Sequence, residues 1–316
     1  MSEAFQKMKA RRMDPEKVRE RWLALIKPDF GQHRATRVRR ALARTDLGKQ
    51  IAGCSRKRAC GSLWCERCRK RLVDRLSGRF TTRFQKALGS DEALARQRFK
   101  FLTVLDSVVG FDQAAIVDRA GIIRRHLAAV ARDVRGLDVW LRGAIEVELI
   151  DRALLKSVGT ESARKKKVID MLAGTAAPIE KSALVHFHAL VDLGRSGDGV
   201  VRDALAKRWG NVPWQIDLKS MFAGKNMEQS LKHMAEYCLK GGNEALRYKL
   251  TFGRDSAYLD DAQMWRSGGM TRDEDLYVED ARALSLGDIR FLVEALKGLM
   301  TPDAKGLLVS IGFEDI

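Results

Sequence analysis

Two histidines one residue apart, in the run VHFHALV at 185–191, are the first side chains here able to do chemistry. In an extended strand successive side chains alternate faces. Leu184, His186, His188 and Leu190 therefore share one face, and Val185, Phe187, Ala189 and Val191 the other. Neutral imidazoles side by side suit a divalent metal, and burial helps keep them unprotonated. A second set lies in HMAEYCLKGG, where His233, Tyr237 and Lys240 stand at i, i+4 and i+7 of a helix, one continuous stripe. Such a stripe supplies a phenol able to attack and cations able to steady a phosphate. Neither pattern is specific alone. Paired strand histidines also serve as core residues, Tyr237 could be a core side chain, and Glu236 with Lys240 has the spacing of a surface ion pair.

The cysteines make a third set. Of five in the chain, Cys54, Cys60, Cys65 and Cys68 fall within fifteen residues as C-x5-C-x4-C-x2-C. In a reducing compartment such clustering reads as metal ligation rather than disulfides, and four thiolates fill a tetrahedral zinc shell. The segment is too polar for these residues to be a helical core. Flanking Arg and Lys are expected to help keep the thiols deprotonated. Cys238 has no thiol partner in the sequence and reads as a small buried apolar residue.

Elements must position these groups. Asp14-Pro15 opens a predicted helix, RATRVRRALAR repeats Arg at helical spacing, and RLVDRLSGRFTTRFQKAL is a basic amphipathic helix. FLTVL at 101–105 is a short apolar strand. Residues 112–135 are helical, with Ile116, Ile123, Leu127 and Val130 on the apolar face. WLRGAIEVELI alternates as a strand and puts Glu146 and Glu148 on one face. Residues 156–182 read as a polar loop or helical insertion. The strand ALVHFHALVDL then ends at Gly194, followed by the helix VVRDALAKRW, the strand WQIDL and the helix MEQSLKHMAEYCLK, stopped by Gly241-Gly242. Strands separated by helices with unequal linkers predict an α+β sheet domain over about 99–250. In the tail, a helix after a Ser285 cap carries the apolar stripe Ile289, Leu292, Val293 and Leu296, which would pack on the body or contact a partner.

Charge divides the chain in the same places. It carries 58 Lys+Arg against 41 Asp+Glu, a net +17. Residues 1–100 hold 28 basic and 10 acidic side chains, while residues 251–316 hold 7 and 13. A basic head on a near-neutral body is the charge pattern of a polyanion-binding module, and concentrated positive charge favours nucleic acid by releasing its counterions. The expected organisation is a basic helical region at 1–98 with a zinc segment at 54–68, a sheet domain at 99–250, and an acidic, mainly helical element at 251–316. A hydrophobic share of 45% excludes wholesale disorder. No apolar run is long enough for a membrane helix, and the N-terminus lacks the apolar core of a secretory signal, so a soluble, cytoplasmic protein is expected.

The order of these pieces resembles the HUH endonucleases, and within them the rolling-circle plasmid replication initiators of bacteria. The matching pieces are FLTVL, RGAIEVE at 142–148, VHFHALV, WQIDL, EYCLK at 236–240 and the upstream cysteine segment ending in Cys-x-x-Cys, together covering roughly residues 54–242. The resemblance implies an antiparallel-sheet endonuclease domain with helices packed on it. It implies that His186 and His188 bind Mg²⁺ or Mn²⁺ with an acidic or polar third ligand. Glu146 matches that position first, with Glu148 behind it and His233 as the other candidate.

Tyr237 would attack the phosphate of one DNA strand, giving a 5′-phosphotyrosine link and a free 3′-OH, with Lys240 contacting the phosphate. Similar initiators often carry a glutamate four residues before the tyrosine as the base for a terminating hydrolysis; here His233 stands there, and Glu236 is the nearby acid. The long stretch between Glu146 and His186 and the missing Pro in Cys65-Glu66-Arg67-Cys68 depart from the pattern. Implied partners are origin DNA, single-stranded or as an extruded hairpin, a host helicase or polymerase, and a second protomer. A single-tyrosine HUH transposase or relaxase would show the same strand and helix motifs. In a zinc-containing, non-catalytic nucleic-acid-binding protein, His186 and His188 would be core residues.

Overall fold

The computed structural model describes residues 40–42, 44–88, 91–151, 169–173, 181–210, 215–221, 226–239, 247–249, 281–283, 286–297, 299 and 306–312. The expected helix at Asp14-Pro15, the Ser285 cap, Gly241-Gly242 and Lys240 lie outside them, as does most of RATRVRRALAR.

Apolar and β-branched residues at alternating positions build the strands. β1 (Phe99–Gly110), β2 (Trp140–Asp151), β3 (Lys181–Asp192) and β4 (Ile216–Ser220) form a sheet with β7 (Leu308–Ile311), in the order β4-β1-β3-β2-β7. Every neighbouring pair is antiparallel. A second, two-stranded sheet pairs β5 (Arg247–Lys249) with β6 (Ala281–Ala283). The strand carrying the two histidines is therefore the middle one of five, flanked by the two longest neighbours. Central position explains why it reads as nearly continuous apolar sequence, since both of its faces are covered. Several strands run longer than the sequence reading expected. β1 continues past FLTVL to Gly110 through a register shift between Leu105 and Ser107, and β3 begins at Lys181, inside the expected polar insertion. Within that insertion, residues 169–173 form a short helical turn that seats Ile169 on Leu184 and Ile150.

Five helices beside the sheet take their faces from their spacing. α4 (Gln113–Asp133) is capped by Asp112, whose side chain accepts from the Ala115 N–H, and buries Ile116, Ala120, Ile123, Leu127 and Val130 at helical spacing. With α5 (Asp198–Trp209) and α7 (Leu286–Ala295) it covers the face of Phe187; the Trp209 ring lies 5.5 Å from that of Phe187. The opposite face, which carries the histidines, is crossed by α2 (Glu66–Leu88) and α6 (Met227–Cys238). α2 meets the sheet through Phe80 on Trp140 and Phe84 on Phe99, both edge-on. Two short helices, α1 (Asp46–Ala52) and α3 (Glu92–Arg98), flank it in sequence, each capped at its N-terminus by a Thr or Asp side chain.

One apolar core runs across both 98/99 and 250/251, from Ala41 and Leu72 through the sheet to Leu292 and Ile311. Charge maps the surface, whereas packing follows apolar spacing, and the two need not divide a chain alike. Among its described residues the tail adds to its helix a strand that the sequence reading did not expect: Leu308–Ile311 pair with Leu141–Ala144 and complete the sheet. A four-residue strand leaves too short an alternation to be read from sequence.

A buried ion cluster fastens α2 to the central strand. The Asp192 carboxylate, wholly enclosed at the end of β3, accepts from Arg83 Nε at 2.7 Å, from Arg98 Nε and Nη2, and from the Gly194 N–H at 3.0 Å. Gly194 turns the chain with φ near +60°, and a Cβ there would lie 2.2 Å from the Leu137 carbonyl oxygen.

A candidate metal centre beneath a tyrosine helix

The register of the strands assembles the centre. Glu146 of β2 lies directly opposite His186, and Thr103 of β1 directly opposite His188. Cross-strand partners point to the same side, so carboxylate, imidazoles and hydroxyl converge on one face. Glu146 Oε2 is 3.2 Å from Nε2 of both His186 and His188, and all three side chains are buried. On the other ring nitrogen, His188 Nδ1 lies 2.9 Å from Thr103 Oγ1. Burial opposes ionisation of Glu146, but the two imidazoles hydrogen-bonded to it outweigh that and hold its carboxyl well below the usual range.

This trio fits a divalent cation. Bonds of about 2.1 Å at right angles place neighbouring donor atoms about 3.0 Å apart, close to the spacing seen. The buried set of two neutral nitrogens and one anionic oxygen is also a borderline-to-hard donor set suited to such ions. The hydrogen bond between Thr103 and Nδ1 fixes the ring and leaves Nε2 to face the ion. Glu148 stands two residues further along β2, opposite Leu184, and His233 is in neither group of clustered metal-ligating side chains among the described residues. Of the three candidates for the third ligand, Glu146 is the one that touches both imidazoles.

α6 lays the tyrosine over this centre. Asn226 caps it by accepting from the Gln229 N–H at 2.8 Å, and Met227, Leu231, Met234, Ala235 and Cys238 form its buried side. Tyr237, half-buried, sets its ring edge-on to His188 with centroids 4.6 Å apart, and edge-on to Phe101 at 5.0 Å. Phe101 in turn stacks parallel to His188 at 5.7 Å. His233 is half-buried one turn earlier and Glu236 is exposed. The helix ends at Cys238, two residues short of the expected stop: the N–H of the buried Leu239 already bonds back to Ala235 and Tyr237 carbonyls. Phe101 and Thr103 were absent from the sequence-level candidates. Their signal was present, since the alternation of FLTVL puts both on one face, but only the register shows that it is the histidine face.

The second centre closes the turn before α2. Sγ atoms of Cys54, Cys60, Cys65 and Cys68 gather within 4.8 Å of one another, and Cys68 Sγ is 3.6 Å from those of both Cys54 and Cys60. A tetrahedral thiolate shell with Zn–S bonds of about 2.3 Å sets sulfurs about 3.8 Å apart, so the four could hold such an ion. The expected role of the basic flank is corrected. Arg67 and Arg71 donate to the carbonyls of Cys54 and Arg56 rather than facing the thiols. Cys54 is lowered to about 7 chiefly by the Cys60 N–H, while burial pushes Cys60 and Cys65 up.

No protein-family model, curated protein or solved structure matches the chain. Among the described residues, no helix is long and apolar enough to cross a membrane.

Proposed function

We propose that the chain is an HUH-type endonuclease that nicks one strand of DNA, acting as a replication initiator at a plasmid origin. One observation carries this reading: the middle strand of an antiparallel sheet presents His186 and His188 to Glu146, with Tyr237 on a helix packed against His188. A core histidine pair does not need a buried carboxylate on both Nε2 atoms, a hydroxyl on one Nδ1, and a phenol beside it. A divalent cation held by His186, His188 and Glu146 would supply charge that polarises a phosphate and orients it.

The chain's own residues do the rest. Tyr237 Oη attacks phosphorus, its proton passing to a base for which His233 and Glu236 are the candidates on the same helix. The bond from phosphorus to the 3′ oxygen breaks, that oxygen takes the electron pair and a proton, and the 5′ end remains on Tyr237 as a phosphotyrosine ester. The phosphodiester energy is kept, so the released 3′-OH both primes synthesis and permits rejoining. Packing by Phe101 and the Thr103 hydrogen bond hold His188 in one orientation, which keeps the phosphate site in register with the phenol. Lys240, two residues beyond α6, is proposed to contact the phosphate.

The test is a denaturing gel of purified protein incubated with single-stranded DNA from candidate replicons, with Mn²⁺ or with chelator. A covalent protein–DNA band that needs metal and vanishes in Tyr237→Phe, with DNA affinity unchanged, is the expected result. Adducts that persist in Tyr237→Phe would overturn the assignment of the nucleophile. Nicking that persists in His186→Ala/His188→Ala would overturn that of the metal site.

A further inference from the structure

We propose that the outer face of α2, together with the cysteine-held loop at its N-terminus, is a separate docking surface for the backbone of double-stranded DNA. The choice of DNA over RNA rests on the function proposed above; the surface itself does not. From Cys54 to Leu88 the sequence has eleven basic and two acidic residues, and of the eleven only Arg83 turns fully inward. Arg67, Lys70, Arg71, Arg75 and Lys86 are exposed on the helix, with Arg79 half-exposed between them. Leu72, Val73, Leu76, Phe80 and Phe84 occupy the inner side, so spacing alone drives the cations outward.

The loop extends this face. Arg56, Lys57 and Arg58 are exposed at its tip, a tight turn in which Ser55 N–H bonds to the Arg58 carbonyl and Ser55 Oγ accepts from the Arg58 N–H. The turn is tied to α2 by Arg67 Nη1 on the Cys54 carbonyl at 2.9 Å and Arg71 Nη2 on the Arg56 carbonyl at 3.3 Å. Four cysteines, one of them Cys68 on α2 itself, gather at its base, where a bound metal ion would hold its two ends together. The result is a rigid cationic surface along a helix about 34 Å long.

Its chemistry selects the partner. No aromatic side chain lies on the outer face of α2, so it lacks the stacking platforms that single strands use. Among the described side chains, no large apolar one is exposed there either, so the anchor that a membrane surface would need is not among them. What remains is closely spaced positive charge, the requirement of duplex phosphate. The inner side of α2 packs on α6, the tyrosine helix. A duplex on the outer side would lie one helix thickness from the proposed nicking site.

The experiment compares full-length, zinc-loaded wild type with Arg56→Gln/Lys57→Gln/Arg58→Gln/Lys70→Gln, by fluorescence anisotropy on a random-sequence DNA duplex, the same single strand and an RNA duplex. Exposed positions leave the core untouched, and zinc content verifies the loop. A control neutralises Arg132, Arg135, Lys207 and Lys297, exposed on or just beyond the ends of the helices across the sheet. If each lost cation contacts a phosphate, the slope of log affinity against log salt falls by about 3 to 4 in the variant. Wild-type affinity should then drop on the order of 100-fold more than the variant's between 50 and 200 mM salt. The control should match wild type. An unchanged slope on the DNA duplex, an equal loss in the control, a loss confined to the single strand, or tighter wild-type binding to the RNA duplex would each overturn the proposal. The covalent-adduct gel is run in parallel on single strands. Loss of duplex affinity in the variant without any wild-type adduct would leave this surface standing and the nicking function fallen.

Discussion

Replacing Asp192 with Asn tests how α2 is fastened to the central strand. The native carboxylate is wholly enclosed and accepts four hydrogen bonds, three from the guanidinium groups of Arg83 and Arg98 and one from the Gly194 N–H. An amide of the same shape has one acceptor oxygen, and its NH₂ then faces guanidinium donors, so about half of the bonds are lost and the charge is removed. Hydrogen bonds to charged groups contribute about 1.5–3 kcal/mol each, and breaking one partner of a buried ion pair costs about 3–5 kcal/mol. Two lost bonds alone sum to about 3–6 kcal/mol, and the lower part of that range is expected here, for two reasons. Arg98 is 18% exposed and can turn to water, and Arg83 keeps Asp138, whose carbonyl it meets at 3.1 Å. We therefore expect a loss of about 3–5 kcal/mol, a large share of the 5–15 kcal/mol typical of whole proteins. Urea unfolding followed by circular dichroism, with the slope checked for two-state behaviour, measures it. Arg83→Met alone should cost less, because Asp192 retains Arg98, and the two substitutions should be strongly non-additive. A loss below about 1 kcal/mol, or simple additivity, would show that the cluster is not what holds α2 in place.

Three other outcomes follow from the described geometry. Thr103→Val removes the partner of His188 Nδ1 and should weaken Mn²⁺ binding about 10- to 100-fold with little change in fold, read by calorimetric titration; unchanged affinity would mean the hydroxyl does not orient the ring. Burial raises Cys60 and Cys65, so both are thiols at neutral pH in the metal-free protein, and zinc loading should release at least two protons, with affinity rising as pH rises. Calorimetry in buffers of different ionisation enthalpy counts them, and a release near zero would contradict the protonated state. Burial lowers His126 below 6.5, so the unfolded chain takes up a proton that the folded one resists. Stability from this residue is present above pH 6.5 and is lost as pH falls below it; His126→Gln should flatten the decline measured between pH 7 and 5, and an unaltered decline would locate its cause elsewhere.

Much of the centre was legible because its chemistry is local. His186 and His188 alternate on one strand, Tyr237 sits one turn after His233 on an amphipathic helix, and the four cysteines fall within fifteen residues. Period two and period 3.6 are fixed by backbone geometry, so which residues share a face of one element can be read from spacing alone. The apolar stripe of α4 and the helix of the tail follow from the same rule.

Pairing between elements carries no such local record. Glu146 and Glu148 both lie on one face of β2, and only the register, which puts Glu146 opposite His186, separates the carboxylate that touches both imidazoles from its neighbour. Thr103 and Phe101 join the centre because β1 runs antiparallel to β3 on its other side. Arg83 and Asp192, 109 residues apart, read as surface charges until a core closes around them. The composition and spacing of the chain determined the elements, their faces and the donor groups each offers. The tertiary structure decided which faces meet, since that depends on long-range packing of apolar surface that no short stretch encodes.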